Sequence, residues 1–152
     1  MPLVQGTVTA YSNLIELLAS DPGLAERFKQ AEKALPDTNG RDTMSLVSQK
    51  LQATEPRITA AFQKAGVTPK TAGMTMECLI GVMLGDGMLQ GAKADTSKLP
   101  SYVAENLAFY RQNKAEIQEA FKRFTAVSAK AKSVFGKDNE DGEEEESDED
   151  GK

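Results

Sequence analysis

The spacing of apolar residues is the feature that most constrains the fold of this chain. Apolar side chains recur every three or four residues, as at Tyr11, Ile15 and Leu18. This spacing places them on one face of a helix. No run of alternating apolar and polar residues is long enough to predict a sheet. The pattern therefore predicts an all-α fold.

Prolines that follow capping residues mark the predicted helix starts, as at Asp21-Pro22 and Thr68-Pro69. Gly66 is the predicted C-cap of the helix before Thr68. The predicted helices are about 7–20, 22–35, a short one after Thr43, one from Pro56, 69–91, and 101–135. The last would span about 50 Å, so we expect a break near Gln112-Asn113 or fraying beyond Ala126. We predict one bundle of five or six helices around a central, mostly buried helix, 69–91.

Charge divides the chain into two parts. The 152 residues carry a net charge of −5, but residues 137–152 alone contain 10 acids and 2 bases. The remaining residues therefore carry a net +3. A segment this acidic, with no aliphatic or aromatic residue, is predicted to be disordered. We predict a helical domain, 1–136, and a disordered acidic tail, 137–152.

The composition excludes several kinds of chemistry. The chain has no histidine and one cysteine, Cys78, which excludes Ser-His-Asp triads, histidine-based metal sites and disulfides within the chain. Met74, Met76 and Cys78 are spaced so that Met76 points away from the other two, which disfavours a copper site. Glu77 and Asp86 are the only acids in the apolar helix, and we expect them on one broad side of it. They are the only acid–base candidates, although both could instead face solvent or cap a neighbour. We therefore predict no enzyme activity, no metal and no cofactor.

The apolar helix 69–91 is the predicted binding element, because it is rich in methionine and glycine. Gly81 and Gly85 form one small-xxx-small pair, and Gly87 and Gly91 form another. These glycines favour either close helix packing or space for a ligand against the backbone. The predicted ligand-binding residues are Met76, Ile80, Gly81, Met83, Gly85 and Tyr110. The predicted ligand is a small apolar molecule or a protein partner, bound in a cavity of about 300 Å³ or more beside Gly81 and Gly85.

An alternative function is a charge-mediated interaction. The last predicted helix is basic, with Arg111, Lys114, Lys122, Arg123, Lys130 and Lys132. The acidic tail could engage cations or basic partners, and this helix could modulate it. We expect no nucleic-acid partner, because the tail would compete for the same cations. We also expect no membrane span, because the most apolar window, 79–85, is bounded by acids. The chain is predicted to be a monomer or a dimer.

Residues from about Thr54 to Phe124 resemble small bacterial exported, helix-rich proteins of unknown function. The shared pattern is a proline-led helix, a glycine followed by Thr-Pro, an Ala/Leu/Met-rich helix and a segment like NLAFYRQNKAEI at 106–117. Asn106 and Arg111 are its polar marks. The resemblance implies a periplasmic or secreted protein whose signal has been removed. The opening residues, MPLVQG, lack the pattern of a secretory signal, so a cytoplasmic location is the alternative.

Overall fold

The computed structural model describes residues 1–36, 42–92 and 95–135, with side chains in the last helix described as far as Ala129. All regular structure in these residues is helical, which confirms the all-α prediction. The helices are α1 (Pro2–Ser20), α2 (Pro22–Lys33), α3 (Thr43–Leu51), α4 (Pro56–Gln63), α5 (Pro69–Gly91), α6 (Ser101–Gln112) and α7 (Lys114–Phe135), with a short 3-10 helix at Thr96–Lys98. The predicted acidic tail lies outside the described residues.

The starts of α2 and α5 follow the local signals in the sequence. The Asp21 carboxylate accepts a hydrogen bond from the Leu24 N–H at 2.9 Å, and the Thr68 hydroxyl accepts one from the Thr71 N–H at 3.1 Å. Each bond satisfies an N–H group that the first helical turn would leave unpaired. A proline follows each cap and fits the first turn, where no N–H is needed.

The predicted C-cap, Gly66, lies in the turn after α4, because α4 ends at Gln63 and its C-cap is Lys64. The Gly66 φ angle of +73° lies in the left-handed region, which glycine adopts without steric cost. The Val67 N–H then donates to the Phe62 carbonyl at 3.2 Å, and the Gly66 N–H donates to the Gln63 carbonyl at 2.9 Å. These bonds satisfy carbonyls at the end of the helix and turn the chain toward α5.

The expected break near Gln112-Asn113 is confirmed at Asn113. Its backbone N–H and its side-chain amide both donate to the Phe109 carbonyl, at 3.1 and 2.8 Å. A side chain that bonds the backbone in this way competes with continued helix. The separation of α6 from α7 gives seven α-helices among the described residues, rather than the five or six that we predicted.

Helix α1 occupies the centre of the fold, where α2, α4, α5 and α7 pack around it. Tyr11 and Leu14 are almost completely buried. The Tyr11 ring meets Phe62 edge to face at a centroid distance of 5.8 Å and Phe124 at 6.4 Å. These aromatic contacts join α1, α4 and α7 in the main core.

The prediction that α5 is the central, mostly buried helix is wrong. α5 packs against α1, α3 and α6, and only 28% of its most apolar 18-residue window is buried. Met88 is 75% exposed and Leu84 is 64% exposed. The physical reason is that α5 carries apolar residues on every side, whereas its neighbours cover it mainly on one side.

Candidate functional site

An open apolar groove of about 600 Å³ lies between the start of α1, the first half of α5 and the second half of α6. The contribution of α5 is Thr71, Met74, Thr75, Cys78, Leu79 and Val82. The other walls are Met1, Leu3 and Val4 from α1 and Asn106, Phe109 and Tyr110 from α6. The groove therefore depends on three segments that are far apart in the sequence.

The helical repeat explains why these residues of α5 line the groove together. Positions 71, 74, 75, 78 and 82 recur at three or four residues, so they lie on one side of the helix. The floor consists of Val4, Leu79 and Tyr110, which form a small core cluster with Ile117. Leu3, Met74 and Phe109 form an exposed apolar rim.

No residue that lines this groove carries a charged side chain. Its two threonine hydroxyls already have local hydrogen bonds. The Thr75 hydroxyl donates to the Thr71 carbonyl at 2.8 Å, and the Thr71 hydroxyl lies 2.9 Å from that of Thr68. Cys78 is a free, exposed thiol. The groove is thus a mainly apolar surface with uncharged side chains and few polar atoms, and Met1 adds its α-amino group.

An ion-pair network around one buried carboxylate lies on a different side of α5. The Asp86 carboxylate is 2% exposed and accepts hydrogen bonds from Arg111 Nε at 2.8 Å, Gln90 Nε2 at 2.7 Å and Lys114 Nζ at 3.3 Å. The bond from Arg111 is the main reason that the pKa of Asp86 lies below 3.8, and it outweighs the opposing effect of burial. The network joins α5 to α6 and α7.

The prediction that Glu77 and Asp86 share one side of the helix is wrong. Nine residues at about 100° each place two side chains on opposite faces of a helix. Asp86 points inward, whereas Glu77 is exposed and its carboxylate accepts the backbone N–H of Asp42 at 2.8 Å. The structure therefore does not bring the two carboxylates together as an acid–base pair.

A second polar cluster connects α1, the start of α3 and α5. The Tyr11 hydroxyl donates a hydrogen bond to the Asp42 carboxylate. Burial raises the pKa of Asp42, with a smaller contribution from the charge of Glu77, while the backbone N–H groups of Ser45 and Met44 act in the opposite direction. The contacts of Asp42 fix the beginning of α3 against the two long helices.

The structure brings one of the predicted ligand-binding residues, Tyr110, into the groove. Met76 is buried in the main core, and Ile80 is exposed on another face of α5. Met83 lines a separate open groove of about 660 Å³ against α7. Gly81 and Gly85 do not line the groove.

The glycine pairs of α5 face open space. A Cβ atom added at Gly81 or Gly85 would meet no atom of the described residues within 4 Å, and the same holds for Gly87 and Gly91. The close-packing explanation is therefore wrong, and the walls of the expected cavity are not found beside Gly81 and Gly85.

The close approaches occur at other glycines. A Cβ at Gly6 would lie 2.6 Å from the Ala65 carbonyl oxygen, and one at Gly73 would clash with the Ser45 side chain. These two positions need glycine because α1 lies close to the segment after α4, and α5 lies close to α3.

Leu3, Met74, Cys78 and Phe109 are groove residues that the sequence analysis missed. The helical spacing of Met74, Cys78 and Val82 contains a usable signal, namely an uncharged stripe on one side of α5. The contributions of Leu3 and Phe109 have no comparable signal, because they depend on how α1 and α6 pack against α5.

A groove of similar size, about 570 Å³, lies between α1 and α7 but has polar walls. There, Gln5 Nε2 donates to Glu116 Oε1 at 2.5 Å, and Arg123 lies 3.9 Å from Glu119. Lys122 also pairs with Glu119, at 3.7 Å. Two of the predicted basic residues, Lys122 and Arg123, are therefore paired with an acid of the same helix. Lys130 and Lys132 lie beyond the described side chains, so the basic character of the whole helix stays a prediction.

By length and composition, α5 is the one helix among the described residues that is apolar enough to cross a membrane. Apolar helices of globular proteins pass the same test, and this one carries the buried, ion-paired Asp86. The absence of a membrane span stays a prediction.

No protein-family model, no curated protein and no solved structure matches this chain. The resemblance to small exported helical proteins, and the periplasmic or secreted location that it implies, therefore stay predictions. The function has to be argued from the geometry of the described residues alone.

Proposed function

We propose that this protein is a non-enzymatic binding protein that holds a small, mainly apolar ligand in the groove between α1, α5 and α6. One observation carries the proposal: a concave surface of about 600 Å³ has an apolar floor, an apolar rim and no charged side chain. Small-molecule sites in proteins usually measure about 300–1,000 Å³ and have mainly apolar walls with few polar groups.

The distribution of exposed apolar residues supports this proposal. Among the side chains that the structure describes, the large exposed hydrophobic residues are Leu3, Met74, Ile80, Leu84, Met88, Tyr102 and Phe109. All of them belong to α1, α5 or α6, the helices that form the groove, and three of them line its rim. Exposed apolar residues such as these three, around a concave surface, are typical of binding sites.

The flexibility of the side chains at the rim also favours a binding role. Met74 has an unbranched, polarisable side chain that can adapt to ligands of different shape. Leu79 and Tyr110 below it are nearly fully buried, so the floor is fixed by the packing of the helices. A fixed floor with an adaptable rim suits binding rather than a reaction that needs positioned acids and bases.

The test is a titration of the full chain with diphenylhexatriene, a hydrocarbon whose fluorescence rises in apolar surroundings. Met74→Glu places a charge on the rim, and we expect it to weaken binding by about tenfold or more. Met88→Glu is the matched control, because it is the same change on the same helix at an exposed position outside the groove.

Two results would contradict the proposal. One is the absence of saturable binding to the unmodified protein, and the other is an equal loss of affinity in both variants. The charge-mediated alternative makes a different prediction, because binding through charges weakens as salt is added. Hydrocarbon binding in the groove should be insensitive to salt and should persist in a chain that ends at Gly136.

A further inference from the structure

The charges around the groove indicate whether its ligand is charged or neutral. Arg111 Nε and Lys114 Nζ both bond the Asp86 carboxylate, and neither residue lines the groove. The Glu77 carboxylate likewise already accepts a hydrogen bond from the Asp42 N–H. The groove walls themselves hold no charged side chain. A cation inside the groove would therefore lose water without gaining a counter-charge. An anion would find the α-amino group of Met1 on the wall and Lys114 Nζ, which lies 5.6 Å from the centre of the Tyr110 ring and is already paired with Asp86.

The polar atoms that remain free in the groove point to a hydrogen-bonding ligand. Asn106 and Tyr110 are four residues apart on α6, so both lie on the side of the helix that faces the groove. Neither side chain forms a hydrogen bond with another described residue. The threonine hydroxyls of the groove, in contrast, are already engaged locally.

Tyr110 has a fixed position from which its hydroxyl can act. The residue is only 4% exposed, so packing holds the ring in place. Among the described residues, the buried polar side-chain atoms without a partner belong to Thr7 and Ser128. The Tyr110 hydroxyl has no partner in the described part of the chain and is not one of these buried atoms, so part of it is accessible from the surface. Because Tyr110 lines the groove, its hydroxyl can reach a molecule there.

We propose that the groove takes an uncharged, mainly apolar molecule with one hydrogen-bonding group, such as a hydroxyl or carbonyl, which bonds Asn106 and Tyr110. This inference rests on the proposed function, because it specifies the ligand of the same groove. The amide of Asn106 both donates and accepts, and so does the tyrosine hydroxyl. The pair therefore accommodates alcohols, esters and ketones.

The experiment is displacement of diphenylhexatriene from the full chain by three compounds with the same ten-carbon chain. They are 1-decanol, decanoate and decyltrimethylammonium, used at neutral pH and below their aggregation concentrations. We expect decanol to displace the probe at a concentration at least about tenfold lower than either ion requires. If either ion displaced the probe as well as decanol does, the inference would be overturned.

Variants then test the two residues. Tyr110→Phe removes only the hydroxyl, and Asn106→Leu removes the amide at an exposed position. Each should weaken decanol binding about fivefold, while the affinity for diphenylhexatriene, which has no polar atom, stays within about twofold. Gln112→Leu on the same helix, outside the groove, is the control and should change neither affinity.

The outcomes separate this inference from the proposed function. If diphenylhexatriene does not bind, the proposed function itself fails. If the probe binds but decanol affinity is the same in Tyr110→Phe, Asn106→Leu and Gln112→Leu, the groove is a binding site and the assignment of these two residues is wrong.

Discussion

Helices α1 and α5 are both long and apolar, yet the fold uses them in opposite ways. α1 has 19 residues, nine of them buried, whereas α5 has 23 residues, only six of them buried. One large apolar residue of α1, Leu3, is exposed, compared with four on α5. The difference shows that apolar content alone does not decide which helix becomes the centre of a bundle.

The arrangement of side chains around each helix explains the contrast. Apolar and small residues cover enough of α1 for four helices to pack around it, with polar residues such as Gln5 and Glu16 kept at the surface. α5 is apolar on all sides, so any packing on one side leaves apolar residues exposed on the others. The groove and its rim are a consequence of that surplus.

The largest expected difference between the two helices is in how much a Leu→Ala substitution lowers the free energy of unfolding. Leu14→Ala in α1 should reduce the free energy of unfolding by about 3 kcal/mol, because Leu14 is completely buried. Leu84→Ala in α5 should change it by less than about 0.5 kcal/mol, because Leu84 is mostly exposed. Urea unfolding measures both values. A cost above about 1 kcal/mol for Leu84→Ala would mean that another surface covers the outer face of α5.

The second prediction concerns the one charged residue that α5 buries. Asp86→Asn should lower the free energy of unfolding at pH 7 by about 2 kcal/mol, because Arg111 and Lys114 lose their charged partner. Glu119→Gln, at an exposed ion pair of α7, is the control and should cost less than about 0.5 kcal/mol.

The pH dependence of the Asp86 effect follows from the direction of its pKa shift. The folded-state pKa lies below 3.8, so the stabilisation is fully present above pH 3.8 and is lost as the pH falls through the lower folded value. Unfolding curves at several pH values should show the Asp86→Asn difference shrinking below that point. A difference that grew on acidification would contradict this assignment.

The smallest expected effects are at glycines, and they have opposite signs in the two helices. Gly6→Ala in α1 should destabilise the protein by about 1–2 kcal/mol, because its Cβ would approach the Ala65 carbonyl oxygen. Gly81→Ala in α5 should stabilise it by up to about 1 kcal/mol, because alanine favours helix and the space is open. Thermal unfolding distinguishes these signs, and destabilisation by Gly81→Ala would show that a backbone or ligand occupies that space.

Local features of the fold could be predicted well from the sequence. The bounds of α5 and the break at Asn113 agree with the structure. Gly66 lies in the turn after α4 with a left-handed φ angle, although the C-cap itself is Lys64. α1 begins at Pro2 rather than near Thr7, because Val4 in its first turn packs into the cluster of Leu79 and Tyr110. The predicted starts depended on local signals, and this early start depends on tertiary packing.

The candidate site could be predicted only in part. Tyr110 was among the expected residues. The glycines, however, led to a predicted site on a face of α5 that borders open space. The same four glycines would have marked a tight contact if another helix had packed there. Their spacing could not distinguish open space from a tight contact, because residues elsewhere in the chain decide whether another helix packs there.

The sequence by itself determined the helical class, most helix ends and the position of the break between α6 and α7. These features depend on interactions within about four residues, which a sequence displays directly. The tertiary structure alone decided that α1 is central, which side of α5 is covered, and that Leu3, Met74 and Phe109 meet at one groove. The physical reason is that a helix that is apolar on every side has no preferred inner face. Which face is buried therefore depends on where the neighbouring helices pack.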